Sequence, residues 1–70
     1  MSVVFYSSHC PNCRILQQLM DKKEMEYEVI DDGDVYLPIA DAHHIMKMPF
    51  ADVNGIILDA KQLELWIKEQ

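Results

Sequence analysis

The arrangement of the chain is decided near its start, where residues 3–13 read VVFYSSHCPNC. The first four side chains are β-branched or aromatic, as in a short strand buried in the middle of a sheet. From Pro11 the spacing becomes helical, and proline suits the first position of a helix, where its missing N–H would have no partner. The stretch therefore predicts a strand followed directly by a helix, with Cys10 and Cys13 at the junction.

The first helix and a second strand follow from the spacing of apolar residues. The helix is predicted from Pro11 to about Lys22 and Lys23, whose charges suit a helix C-terminus. Its apolar stripe consists of Ile15, Leu16, Leu19 and Met20. An alternating pattern then predicts a half-exposed strand nearer a sheet edge, with Met25, Tyr27 and Val29 as its apolar side.

The second half of the chain predicts a helix, a hairpin and a final helix. Because a residue before proline is biased towards extended geometry, the helix is expected to start at Pro38. It runs to about Met46 and buries Ile39, Ala42, Ile45 and Met46. Asn54-Gly55 fits a two-residue type I′ turn between strands at residues 50–53 and 56–58. The last helix has a capping box and an apolar face, formed by Asp59 with Gln62 and by Leu63, Trp66 and Ile67.

The predicted order of elements is β-α-β-α-β-β-α, an α/β sandwich with a four-stranded mixed sheet. Two strands joined through a helix are parallel with a right-handed crossover, and the hairpin adds an antiparallel pair. Seventy residues are too few for two self-sufficient cores. We therefore expect one domain over residues 1–70.

Charge and hydropathy exclude several classes of partner. Six basic and twelve acidic residues give a formal charge of −6, so the lysines and arginines that neutralise nucleic-acid phosphates are scarce. No basic segment precedes a long apolar span, and no apolar run approaches the roughly 20 residues that cross a bilayer. We expect a cytoplasmic monomer with neither a nucleic-acid nor a membrane partner.

The Cys-x-x-Cys spacing carries the chemistry. Two cysteines cannot form a secreted disulfide scaffold, so the pair is either a redox dithiol or half of a metal site. A helix N-terminus stabilises an anion, which favours a thiolate at Cys10. Cys13, one turn further, lies on the side of the helix that carries Leu16 and Met20 and is expected to be less exposed. We predict that Cys10 is the nucleophile and that Cys13 resolves the mixed disulfide.

Other polar residues have weaker functional interpretations. His9 either stabilises the neighbouring thiolate or carries a proton, or is an exposed loop residue without a role. His43 and His44 are more often solvated than ligands, and we predict no bound metal. Asp52 is interpreted as an exposed strand residue, with a role as proton acceptor for Cys13 as the alternative.

Three motifs together resemble the glutaredoxin branch of the thioredoxin fold: YSSHCPNC at residues 6–13, Met48-Pro49 before the hairpin, and Val53-Asn54-Gly55 at its turn. The similarity spans nearly the whole chain. It implies a Cys-Pro-x-Cys active site that faces a cis-proline at Pro49 and a substrate that pairs with the backbone of Met48. On this basis the catalytic residues are Cys10 and Cys13, and the substrate-binding residues are His9, Pro11, Met48 and Pro49.

The chain departs from the family pattern at two places. Ser7 stands where glutaredoxins usually carry a lysine, and residues 58–61 read LDAK instead of Gly-Gly followed by an acidic residue. The expected partner is a disulfide-containing protein, with thioredoxin reductase or glutathione as the source of electrons and no bound cofactor. The alternatives are a copper or zinc carrier, whose ferredoxin-like domain would end on a strand, and an iron–sulfur cluster shared by two protomers.

Overall fold

The computed structural model describes residues 2–70. These residues form four strands and three helices in the predicted order. The elements are β1 (Val3–Tyr6), α1 (Pro11–Lys22), β2 (Glu28–Ile30), α2 (Gly33–Ala42), β3 (Phe50–Val53), β4 (Ile56–Leu58) and α3 (Ala60–Lys68). None of these helices combines the length and the apolar composition needed to cross a bilayer.

The sheet is mixed, as the sequence predicts, with strand order β2-β1-β3-β4. β1 is central: it pairs in parallel with β2 and antiparallel with β3, and β4 continues the sheet beyond β3. The register places Tyr6 opposite Ile30 on one side and opposite Phe50 on the other. The end of β1 that precedes the cysteines is therefore held between two neighbouring strands.

Helices cover both faces of the sheet. On one face α1 and α3 bury a core with β1 and β3 that consists of Val3, Phe5, Leu16, Met20, Ala51, Val53, Leu63 and Ile67. On the other face α2 contributes Ala40 to a smaller cluster with Tyr6 and Phe50, whose rings stack at 4.7 Å between centroids. Tyr6 and Phe50 thus join the end of β1 to the start of β3.

The first helix begins and ends where the sequence predicts, but its buried face differs by one residue. Cys13, Leu16 and Met20 are buried, whereas Ile15 is 54% exposed, so its place in the apolar stripe was wrong. Beyond the helix, Glu24 takes a positive φ of 57° and the N–H of Met25 donates to the carbonyl of Met20. The positive φ and this hydrogen bond are typical of a Schellman motif, which satisfies the last carbonyls of the helix.

β2 lies at the predicted edge of the sheet but is shorter than the alternation suggests. The pairing with β1 covers only Glu28–Ile30, because Met25 is engaged in closing α1. Val29 is 41% exposed while Ile30 is half-buried. The prediction that Val29 belongs to the buried side of this strand was therefore wrong.

The second helix begins five residues before the predicted start at Pro38, at Gly33. The carboxylate of Asp32 accepts the N–H of Asp34 at 3.0 Å and caps the helix. Pro38 lies inside the helix, where it removes one backbone hydrogen bond. The cap and the packing of the following residues Ile39 and Ala40 against the sheet favour the helix despite this loss.

The same helix also ends earlier than predicted, at Ala42 rather than near Met46. His44 has a φ of 55°, and the N–H of Ile45 donates to the carbonyl of Ala40 at 2.8 Å, which completes a second Schellman motif. Ala42 is exposed and Met46 is 93% exposed, so neither is the core residue that the sequence predicts.

The C-terminal elements agree with the sequence. The hairpin turns at Asn54 and Gly55, both with positive φ. Asp59 and Gln62 form the predicted capping box, in which each side chain accepts the other residue's backbone N–H. Leu63 and Ile67 are buried and Trp66 packs against the same core. α3 therefore follows the hairpin and packs on the sheet, as predicted.

Candidate functional site

Cys10 lies at the junction of β1 and α1, as predicted. It is the N-cap residue of α1, and its sulfur accepts the backbone N–H of Cys13 at 3.1 Å. Pro11 occupies the first helical position and is exposed. A negative charge on the Cys10 sulfur would be stabilised by this N–H and by the helix dipole.

The two cysteine sulfurs are in direct contact. Both residues are free thiols, and the Sγ of Cys10 donates a hydrogen bond to the Sγ of Cys13 at 2.7 Å. Cys10 is half-buried, whereas Cys13 is 1% exposed. Cys10 is therefore the more accessible of the two residues, and the Cys13 sulfur is within reach of Cys10.

The pKa of Cys13 lies below its ordinary value. Burial of the thiol raises this pKa, but hydrogen bonds with Cys10 and Ser8 lower it by more. The sequence predicts a thiolate at Cys10, whereas in the structure the Cys10 thiol is the donor and the lowered pKa is that of Cys13.

Met48 and Pro49 lie beside the cysteines, as the family resemblance implies. The Met48–Pro49 peptide bond is cis, and Pro49 is buried. The carbonyl oxygen of Met48 lies 3.8 Å from the Sγ of Cys10, although 38 positions separate the two residues. The backbone of the α2–β3 connection thus lies next to the Cys10 sulfur.

His9 is held in an unusual conformation directly before Cys10. Its φ is 60°, in the left-handed region, and its N–H donates to the hydroxyl of buried Ser7 at 3.1 Å. Its ring Nε2 lies 2.9 Å from Oδ2 of Asp31, in the segment between β2 and α2. This contact was not predicted from the sequence, because the two residues are 22 positions apart.

Ser8 is a second residue that sequence reasoning missed. Its hydroxyl oxygen lies 3.7 Å from the Sγ of Cys13, and hydrogen bonding from its backbone also lowers the pKa of that thiol. The only sequence signal is the pair of serines between an apolar strand and the first cysteine, since short hydroxyl side chains bond nearby backbone and side-chain groups at such junctions.

Asp52 is not brought to the cysteines. Its neighbours across the strands are Val4 and Ile57, which lie on the sheet face covered by α2, whereas Cys13 is on α1 at the opposite face. Its carboxylate accepts the N–H of Gly55 at 2.7 Å and so closes the hairpin. Asp52 has a structural role here, and the alternative role of proton acceptor for Cys13 was wrong.

His43 and His44 are both exposed at the C-terminus of α2. With Lys47, they line a cleft of about 510 Å³ whose other wall is formed by residues 59–62. The lining of this cleft includes neither cysteine. Within residues 2–70, no three or more His, Cys, Asp or Glu side chains gather so as to hold a metal ion.

Comparisons with known proteins agree with this geometry at the level of the fold. No protein-family model and no curated protein sequence matches the chain. Among solved structures, it is similar to a mutant form of the thioredoxin-like protein BC3987, with a TM-score of 0.74 and 18% sequence identity. The match covers 96% of each chain. The predicted thioredoxin-like fold is therefore confirmed.

Proposed function

We propose that this protein is a glutaredoxin-like thiol–disulfide oxidoreductase that reduces disulfides in other proteins. The observation that carries the proposal is the contact of an accessible and a buried sulfur, Cys10 and Cys13, at 2.7 Å at the N-terminus of a helix. A thioredoxin-like fold with a Cys-x-x-Cys pair is compatible with redox chemistry.

The reaction proceeds in two exchanges. The thiolate of Cys10 attacks one sulfur of the target disulfide, a Cys10–target bond forms, and the other target sulfur leaves as a thiolate. Cys13, deprotonated to solvent, then attacks the Cys10 sulfur, and the second target sulfur leaves. The target gains two electrons and, from water, two protons, while the Cys10–Cys13 pair becomes a disulfide. An external reductant restores the dithiol.

The surroundings of Cys10 support the assignment of a substrate-binding surface. His9 and Pro11 flank Cys10 in the chain and are exposed, and the carbonyl oxygen of Met48 lies 3.8 Å from its sulfur. The carbonyl of Met48 already points at the reactive sulfur, so an extended peptide that carries a disulfide can pair with this backbone while its sulfur meets Cys10. Recognition of this kind depends on the peptide backbone and tolerates different target sequences.

Two features bear on the source of electrons. The chain has a net charge of −6, which disfavours an anionic tripeptide such as glutathione. It also lacks the lysine and the Gly-Gly-acidic segment that glutaredoxins use for glutathione, as described above. We therefore propose thioredoxin reductase as the reductant, with glutathione as the alternative. A dithiol of this kind suits the reducing cytoplasm, where we propose that the protein acts as a monomer.

The test follows the consumption of NADPH. Oxidised protein is incubated with glutathione and glutathione reductase, or with thioredoxin reductase alone, each with a protein disulfide as the final acceptor. We expect steady NADPH oxidation in the thioredoxin reductase assay, and none with a variant in which both cysteines are serine. Turnover only with glutathione would reverse the choice of reductant. Reduction in neither assay, together with failure to oxidise the protein's thiols by any disulfide, would contradict the proposed function.

A further inference from the structure

The proposed function leaves open how a buried cysteine becomes reactive in the second exchange. Cys13 is 1% exposed, and burial disfavours its thiolate because the charge loses contact with water. In the reduced protein the thiol of Cys10 offsets this cost by donating a hydrogen bond to the Cys13 sulfur. Cys10 is therefore a stabilising partner only while it carries a proton.

The mixed disulfide removes this partner. Once the Cys10 sulfur is bonded to a target sulfur, it has no proton to donate, yet this is the state in which Cys13 must attack. The remaining hydrogen-bonding groups that act on the Cys13 sulfur are the backbones of Ser8 and Cys10 and the hydroxyl of Ser8. The Ser8 hydroxyl is the only one of these that belongs to a side chain.

We propose that Ser8 is a positioning residue for the resolving step, whose hydroxyl donates to the Cys13 thiolate in the mixed disulfide. The inference rests on the proposed function. In the reduced protein either the hydroxyl or the thiol can be the donor across the 3.7 Å separation. A thiolate has no proton, so the hydroxyl becomes the donor when Cys13 ionises. Hydrogen bonding to the charged form favours that form.

The backbone that carries Ser8 is held by its neighbours, although Ser8 itself is exposed. Ser8 follows the buried Ser7, whose backbone N–H donates to the carbonyl of Ile30 at 3.0 Å and so extends the pairing of β1 with β2. On its other side, the N–H of His9 is bonded to the hydroxyl of Ser7. Hydrogen bonds therefore hold the backbone on both sides of Ser8.

The experiment separates the two exchanges with the aromatic disulfide dithiobis(nitrobenzoate). Attack by Cys10 releases one nitrothiobenzoate in a phase whose rate depends on the concentration of the reagent. Attack by Cys13 on the resulting mixed disulfide releases the second nitrothiobenzoate, in a phase whose rate does not depend on the reagent concentration. Stopped-flow absorbance measures both rates from about pH 5 to pH 10, across the range in which cysteine thiols ionise.

For Ser8→Ala we expect the second phase to slow about two- to threefold at neutral pH. Loss of one weak hydrogen bond lowers the fraction of Cys13 present as thiolate by about fivefold. The thiolate that remains is more basic and therefore intrinsically more nucleophilic, so the rate falls by only about the square root of that factor. At the alkaline end, where Cys13 is fully ionised in both proteins, the variant should be at least as fast as the wild type. The first phase should change less than the second at neutral pH.

Two variants serve as controls. Ser8→Thr keeps the hydroxyl and should restore the wild-type pH profile of the second phase. Ser2→Ala removes an exposed hydroxyl away from the thiols and should leave both phases unchanged. A lower second-phase rate for Ser8→Ala at every pH would indicate misplacement of Cys13 and contradict the proposal. Wild-type and Ser8→Ala profiles that coincide would also contradict it.

Failure of the proposed function gives a different result. If Cys10 and Cys13 do not form a redox pair, the wild type itself lacks the second, concentration-independent phase. If the pair is redox-active but Ser8 has no role, the wild type shows both phases and Ser8→Ala shows the same two rates. The experiment therefore distinguishes the two failures.

Discussion

Two connections meet at the reactive thiols, and they are built in different ways. The β1–α1 connection, residues 7–10, makes contacts through side chains: the hydroxyl of Ser7 accepts the N–H of His9, and the ring of His9 contacts Asp31. The α2–β3 connection, residues 43–49, faces Cys10 with a backbone carbonyl, that of Met48. The first presents particular side-chain atoms near the thiols, whereas the second presents a backbone carbonyl, as the proposed recognition of a substrate backbone requires.

The largest effects on activity are expected from substitution of the cysteines, because each variant removes a different step of the proposed reaction. Cys10→Ser should lower disulfide reduction by more than about a hundredfold, because the accessible nucleophile is lost. Cys13→Ser should keep the attack but leave a covalent complex, which mass spectrometry of a mixture with an oxidised target would detect. A trapped complex with Cys10→Ser instead would reverse the roles of the two sulfurs.

The next largest effect is on stability, at the contact of Phe50 with Tyr6, which joins the strands next to the two connections. Phe50 is fully buried and stacks on Tyr6, so Phe50→Ala should lower the free energy of unfolding by about 3–5 kcal/mol. This is comparable with the whole stability expected of so small a core. We therefore expect this variant to be largely unfolded by circular dichroism at room temperature.

The matched control for Phe50 lies in the α2–β3 connection itself. Met46 is 93% exposed, so Met46→Ala should change the free energy of unfolding by less than about 0.5 kcal/mol. Urea denaturation measures both variants. Equal losses for the two would show that the connection is held by its own side chains and not through Phe50.

A smaller effect is expected from the titration of Cys13. The pKa of Cys13 in the folded, reduced protein is lower than its ordinary value of 9.0. Between these two values the unfolded chain binds more protons than the folded protein, so the free energy of unfolding rises as the pH increases. The gain is absent below the folded-state pKa and is complete above the ordinary one.

Urea unfolding of the reduced protein at a series of pH values tests this linkage. Cys13→Ala is the control, because it removes the titrating sulfur while keeping the helix. We expect a steeper rise of stability with pH for the wild type than for the variant. Identical slopes would mean that the hydrogen bonds to the Cys13 sulfur do not outweigh its burial.

The smallest effect is expected at the pair of His9 and Asp31 in the first connection. Both side chains are largely exposed, at 71% and 59%, and exposed pairs contribute about 0–1 kcal/mol. Asp31→Asn should therefore leave the thermal midpoint nearly unchanged, as measured by calorimetry at low and at high salt. A loss comparable with that of Phe50→Ala would show that this contact, and not the sheet, holds the first connection.

The outcome for the helices shows where sequence reasoning succeeds and where it does not. The start of α1 was predictable because strand, cysteine and proline signals coincide within residues 3–13. The start of α2 was not, because two local signals conflict: Pro38 favours a helix start, whereas Asp32 favours an earlier cap. The packing of Ile39 and Ala40 on the sheet stabilises the longer helix. This tertiary contribution cannot be inferred from the spacing of residues in the sequence.

The amino-acid sequence by itself determines the order of the elements, the hairpin turn at Asn54 and Gly55, and the placement of both cysteines at a strand–helix junction. These features arise from interactions between residues close in the chain. The contacts of Cys10 with Met48 and of His9 with Asp31 join residues 38 and 22 positions apart. The strand order β2-β1-β3-β4 brings these residues together. That order is set by tertiary packing, in which both faces of the sheet are buried, and not by interactions between residues close in the chain.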